Sequence, residues 1–271
     1  MPTTSLQERL AHGENVSQPV AVVAAHPDDE VVWMGSRLQH LQHWRLIHLT
    51  DGAPRDLQDA RRAGFDSWQE YAAARRLELR RALQEIHGRP EQCINYNIAD
   101  QQSAYQLVGI TERLTADLAG LHVVFTHAYE HGHPDHDSAA FAVHAGCALL
   151  RRMGRAAPHV VEFAAYHVRA GQLVCGCFWP EPQFREAVAC LTAADRIRKT
   201  RAIDCFVSQR EVLQRFVTSD ERLRAAPAYD FTQPAPPAQA WYDSLEWTVS
   251  STVWRGLAVQ SLQQLELHGA L

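Results

Sequence analysis

The run Val20–Ala25, VAVVAA, is apolar at every position; the chain then turns at once to His26-Pro27-Asp28-Asp29-Glu30 before becoming apolar again at Val31-Val32-Trp33-Met34. Six consecutive apolar residues do not alternate between faces, so a strand made of them needs cover on both sides, the condition of a parallel sheet enclosed by helices. Val31, Met34, Leu38 and Leu41 recur at three- and four-residue spacing and predict the first covering helix. A doubly buried strand feeding directly into a helix places the chain in the α/β class.

The same alternation continues along the chain. Residues 45–49 read as a strand closed by the turn Thr50-Asp51-Gly52, and the polar stretch 53–66 as a loop over one edge. Ser67 and Glu70 have capping-box spacing and open a helix whose stripe, Tyr71, Leu79, Leu83 and Ile86, stops at Gly88 and Pro90. Strands are expected at 93–98 and 122–128 and helices at 106–118 and 138–150, with strand-like segments at 159–167 and 172–178. Residues 191–216 read as one or two helices, opening on a second capping pair, Thr192 and Asp195.

Pro227, Pro234, Pro236 and Pro237 mark a passage with under 40 residues beyond it, too few for a core of their own. Residues 226–271 are therefore expected to strap across the main body and end in a helix near 252–267. The expected architecture is one domain over 1–271: a Rossmann-like, mostly parallel sheet with helices on both faces.

A formal net charge of -5 argues against a nucleic-acid partner, which needs a basic face to displace counterions. No apolar window approaches the ~18 to 20 residues of a membrane span. The first residues lack the basic, apolar and small-residue sequence of a secretory signal. Six cysteines without a framework of spacings suit reduced, buried thiols, including the pair Cys175 and Cys177, read as one face of a strand. The expectation is a cytoplasmic protein, with a homo-oligomer open.

In a parallel sheet, ligands bind beyond the carboxyl ends of the strands, where His26–Glu30 falls. The strand HVVFTHA leads into a second cluster, His131, His133, Asp135, His136 and Asp137. A lone His-Pro-Asp reads as a helix cap, but two strand ends carrying far more titratable groups than a cap needs read as a metal centre. At a helix start, residues three apart share one side, so His26 and Asp29 can grip one ion and His136 can complete the set. Two imidazoles and a carboxylate with an open position suit catalytic zinc, and they suit ferrous iron as well.

AHPDDE together with GHPDH resembles the signature of the PIG-L, or LmbE-like, family of metal-dependent N-deacetylases that act on N-acetylglucosaminyl groups; the resemblance spans about Val20 to Leu150. It implies zinc on His26, Asp29 and His136. It implies Asp28 as the general base, His133 as the protonated group that steadies the tetrahedral intermediate and donates to the leaving amine, and Asp135 as its orienting partner. Arg75 and Asp100 resemble contacts to sugar hydroxyls, with a plain surface charge the equal alternative for Arg75. Where some members carry a tyrosine two residues before the histidine of GHPDH, this chain has His131, which puts the oxyanion donor in doubt and leaves Tyr129 as a nearby substitute.

The implied function is zinc-dependent removal of an N-acetyl group from a small amino-sugar substrate. A hydratase or amidase of another conjugate using the same site is the second reading. A metal- or sugar-binding protein without turnover is the third, and Asp28 and His133 argue against it. His40, His43, His48, His87 and His144 are expected in structural or surface roles, and Trp179, Trp241, Trp247 and Trp254 mainly in packing. Loops 51–67 and 99–105 and the strap are expected to shape substrate choice.

Overall fold

The structure is a computed structural model and describes residues 5–216, 218–236, 238–245 and 247–271, so Pro237 lies outside the described residues. Its strands are β1 (Val20–Ala24), β2 (Trp44–Thr50), β3 (Gln92–Ile98), β4 (Val123–His127), β5 (His159–Phe163), β6 (Tyr166–Arg169), β7 (Gln172–Cys175), β8 (Glu186–Cys190) and β9 (Asp220–Ala225). Its helices are α1 (Leu6–Ala11), α2 (Asp29–Leu38), α3 (Gln58–Arg62), α4 (Trp68–Glu85), α5 (Leu107–Asp117), α6 (Pro134–Arg152), α7 (Ala193–Asp204), α8 (Arg210–Leu213) and α9 (Ser251–Gln264).

Seven strands form one sheet in the order β3-β2-β1-β4-β5-β9-β8, with β1 to β5 parallel and β9 and β8 antiparallel at one edge. All five residues of β1 are buried, as its unbroken apolar sequence requires. Val22, Leu46 and Phe125 pack with Val31, Leu38, Leu79 and Leu83 on one face, while Val23, Ile47 and Val124 pack with Leu114, Phe141 and Leu150 on the other. The mostly parallel sheet with helices on both faces is thus present. Because β1 pairs with β2 on one side and β4 on the other, strand order reverses there, and the loops after β1 and β4 leave the sheet side by side.

Several local expectations change. The polar stretch 53–66 contains α3, and α6 begins at Pro134, so the second cluster is itself a first helical turn rather than a loop before one. The segment 159–167 divides: Ala164 N–H donates to Arg222 O and Ala165 O accepts from Gly176 N–H, so the chain changes partners and β6 joins β7 in a separate hairpin. Residues 191–216 form α7 and α8, with the full capping box at Thr192. At Ser67 only half of the box forms: Glu70 N–H donates to the Ser67 hydroxyl, which in turn donates to the Glu70 carboxylate. β9 lacked an apolar signature because its charges are satisfied inside: Arg224 Nε donates to Glu162 at 2.8 Å and Lys199 Nζ to Glu221 at 2.9 Å.

All six cysteines are free thiols, but only Cys147 is buried, and β7 ends at Cys175 because Gly176 turns the chain with φ +69°. Tyr229, Phe231, Trp254 and Leu262 from the C-terminal segment enter the core beside Phe141, and Trp254 Nε1 donates to Ser138 Oγ at 3.0 Å. Among the described residues no helix is long and apolar enough to cross a membrane.

Candidate active site

His26 follows β1, and its backbone N–H donates to Asp29 Oδ2 at 2.8 Å, which folds the loop back on the first residue of α2. The same oxygen lies 3.2 Å from His26 Nδ1, and Asp29 Oδ1 lies 3.2 Å from Nε2 of His136, the third residue of α6. Trp33 Nε1, one turn along α2, donates to Asp29 Oδ1 and fixes the carboxylate. The three side chains are buried, and one donor atom from each falls within 4.8 Å of the others. A cavity of about 570 Å³ opens over them.

The electrostatics fit a cation. Burial by itself lowers the pKa of His26, yet Asp100, Asp135 and Asp29 raise it well above the ordinary histidine value. Burial alone raises the pKa of Asp29, but His136 and His127 hold it well below the carboxylate range. Asp28, Asp29, Asp100 and Asp135 gather close to His26, and among the described residues the one guanidinium within 4.0 Å of any of these four carboxylates is that of Arg75. A buried excess of acid beside imidazoles is the donor chemistry of a divalent metal, and two groups bring their donor atoms within 4.8 Å of one another: His26 with Asp29 and His136, and His26 with Asp100, His133 and Asp135.

Asp28 is the N-cap of α2, and one of its oxygens accepts from Arg75 Nη2 at 2.6 Å while the other has no partner among the described residues. Burial raises its pKa to about 6, against Arg75, which lowers it. Arg75 itself is 2 % exposed and also donates to Gly52 O, so its first engagement is with Asp28 rather than with a ligand. Gly52 is required twice over: its φ is +69°, and a Cβ would overlap the guanidinium. Asp100 lines the cavity with Oδ1 3.2 Å from His26 Nε2; burial raises its pKa, but His26, His133 and Arg75 hold it below the usual range.

His133 caps α6: its Nδ1 accepts the backbone N–H of Asp135 at 3.0 Å, which leaves the proton of the neutral ring on Nε2, on the cavity side. Burial, and then the charge of His26, lowers its pKa well below the ordinary value. Asp135 meets the His133 ring through its backbone N–H rather than through its carboxylate. The Asp135 carboxylate stands 3.9 Å from His133 Nδ1 because it is taken up elsewhere, by Gln101 N–H at 2.6 Å, Ser103 N–H at 3.1 Å, the Ser103 hydroxyl, and His26 Nε2 at 3.2 Å.

His131 and Tyr129 do not reach the cavity. His131 has φ +57° and a fully buried ring, with Nδ1 2.7 Å from Asp137, Nε2 accepting Ala235 N–H at 3.0 Å, and its carbonyl accepting Trp241 N–H. It pins the C-terminal segment instead of facing substrate. Tyr129 donates to Gln233 O at 2.9 Å and packs against Tyr229, Phe231 and Trp254. Both were misplaced by sequence proximity: the left-handed turn at His131 carries residues 129–131 away from the cluster that follows.

Sequence reading missed His127, Tyr166 and the contact of Trp247. His127 ends β4, stacks on His136 at 3.9 Å between centroids, and accepts Ala25 N–H through Nε2; burial and then His136 lower its pKa to about 3, so the ring is neutral. Its position at the carboxyl end of a central strand was the available signal. Tyr166 and Trp247 pack on His136 and His133 from segments far away in sequence, and nothing local marked them.

Residues 21–147 match the family PIG-L, described as GlcNAc-PI de-N-acetylase. A search of curated proteins returns no match. Among solved structures, the A40926 pseudoaglycone deacetylase is similar over 78% of this chain and 97% of its own, with TM-score 0.56 and 16% identity. A teicoplanin deacetylase in a zinc-inhibited form covers 76% of this chain and 97% of its own, with TM-score 0.51 and 16% identity. The N,N'-diacetylchitobiose deacetylase of Pyrococcus horikoshii covers 78% and 84%, with TM-score 0.51 and 15% identity.

Proposed function

With residues 21–147 belonging to the PIG-L family, we propose that this protein is a metal-dependent N-deacetylase of a small N-acetylated amino sugar or its conjugate. The observation that carries the reading is the placing of His26, Asp29 and His136 within 4.8 Å of one another at the floor of a cavity that Asp28 and His133 also line. A divalent cation held by those three residues, zinc or ferrous iron, supplies Lewis acidity toward an amide carbonyl and lowers the pKa of water.

The chain's own residues do the rest. Asp28, with one oxygen held by Arg75 and the other open, takes the proton of the attacking water. The same carboxyl is free to hand that proton to the leaving nitrogen. His133 offers Nε2–H as a hydrogen-bond donor to the substrate, since its Nδ1 is occupied by Asp135 N–H. Asp100 borders the same space and is available to a sugar hydroxyl. The deacetylases among the structural neighbours support the substrate class.

The test supplies the protein with Zn2+ or Fe2+ at one equivalent and in excess, offers N-acetylglucosamine conjugates, and follows acetate and primary amine together. Equal release of both supports the reading. Conversion of a substrate without new amine points to a hydratase. No conversion of any sugar amide with either metal bound overturns the deacetylase reading.

A further inference from the structure

We propose that Tyr166 is a catalytic residue of this site, its phenol O–H donating to the oxyanion that forms at the amide carbon. The assignment rests on the deacetylase reading. An amide attacked by water develops negative charge on its carbonyl oxygen, and a positioned donor in a water-poor cavity is worth far more there than in bulk water. His131 and Tyr129 are turned into the core and cannot serve.

Tyr166 is the one tyrosine among the residues that line the cavity, and its hydroxyl has no hydrogen-bond partner among the described residues. The ring is held rather than loose. It stacks on Phe216 at 5.1 Å between centroids with planes 8° apart, meets Trp33 at 5.9 Å, and stands edge-on to the metal-ligand candidate His136 at 5.1 Å. These contacts place a fixed phenol beside the candidate metal ligands.

Gly132 records the same fit from the other side. A Cβ at Gly132 would lie 2.9 Å and 3.1 Å from Cδ2 and Cε2 of Tyr166 and would overlap the Tyr166 carbonyl. The loop between β4 and α6 therefore lies directly against this ring, and the glycine of GHPDH permits the approach. Donation needs no net proton transfer, and the hydrogen bond is released when the carbonyl re-forms and the carbon–nitrogen bond breaks.

Tyr166→Phe removes one oxygen and keeps the ring packing. In the metal-loaded protein it is expected to lower kcat about 100- to 1,000-fold, the loss typical of one oxyanion donor, with KM and metal content nearly unchanged. The deciding readout is binding. A phosphonamidate analogue of the N-acetyl sugar, a tetrahedral mimic, is titrated into wild type and variant by calorimetry.

A weakening of the analogue by about 30-fold or more, with the KM of the substrate held within about 3-fold, supports the assignment. Equal analogue binding by the two proteins overturns it, whatever happens to kcat. A wild type that cleaves sugar amides while Tyr166→Phe binds the mimic equally well defeats only this assignment. A wild type that neither cleaves the amides nor holds the mimic defeats the deacetylase reading and this assignment with it.

Discussion

The loops after β1 and β4 carry nearly the same four residues, His26-Pro27-Asp28-Asp29 and His133-Pro134-Asp135-His136, yet the structure uses them differently. In the first, α2 begins at the fourth motif residue, Asp29, with Asp28 as N-cap; in the second, α6 begins at the second, Pro134, with His133 as N-cap. Two residues of helix phase turn the third side chain through a large angle. Asp28 keeps an open oxygen toward the cavity, whereas Asp135, fully buried inside the first turn, is used up by the 101–103 backbone and the Ser103 hydroxyl. An identical tripeptide thus leaves a carboxylate oxygen unpartnered at the cavity in one loop and encloses the carboxylate in hydrogen bonds in the other, and the helix start decides which.

That contrast breaks most directly if the two aspartates are exchanged for asparagine. Asp28→Asn is expected to lower kcat by about 1,000-fold, within the usual range for a general base, with thermal stability and metal content near wild type. A comparable loss of stability in both variants would erase the distinction. The fourth motif position should behave alike in the two loops: His136→Ala and Asp29→Ala should each weaken metal binding by more than the about 10- to 100-fold typical of a supporting contact, measured by chelator competition.

Asp135→Asn should instead show first in denaturant unfolding. It replaces a charged acceptor of three chain donors and is expected to cost about 3 kcal/mol. Any pH comparison of the loops needs the background set by Glu162, a carboxylate fully buried beside Arg224 whose pKa burial raises to about 7 against the opposing Arg224. Its folded value lies above its unfolded one, so its contribution is complete below the unfolded pKa of about 4.5 and is lost as pH rises through about 7, by at most about 3 kcal/mol. Glu162→Gln should flatten that fall in urea midpoints between pH 4.5 and 7. The smallest effect is expected from Ser103→Ala, about 1 kcal/mol for one hydrogen bond to Asp135, with kcat unchanged.

Much of the fold was legible because burial on both faces leaves a mark in one dimension. VAVVAA and HVVFTHA read as central strands, and helical spacing placed α4 and α5 close to their observed limits. β9 was not legible, since Glu221 and Arg224 are buried only by virtue of partners distant in sequence, Lys199 and Glu162. In the site, titratable density at two strand ends marked the cluster. The roles of Arg75, Asp135, His131 and Tyr129 could not be read the same way, because each depends on which backbone group or carboxylate it meets.

By itself the sequence determined that two His-Pro-Asp clusters sit on strand-to-helix junctions of an α/β sheet, because hydrophobic periodicity and turn chemistry are local properties. Only the tertiary structure decided which atoms face the cavity. Helix phase, the left-handed residue at His131 and the packing of Tyr166 against Gly132 are set by contacts between segments that sequence order keeps apart.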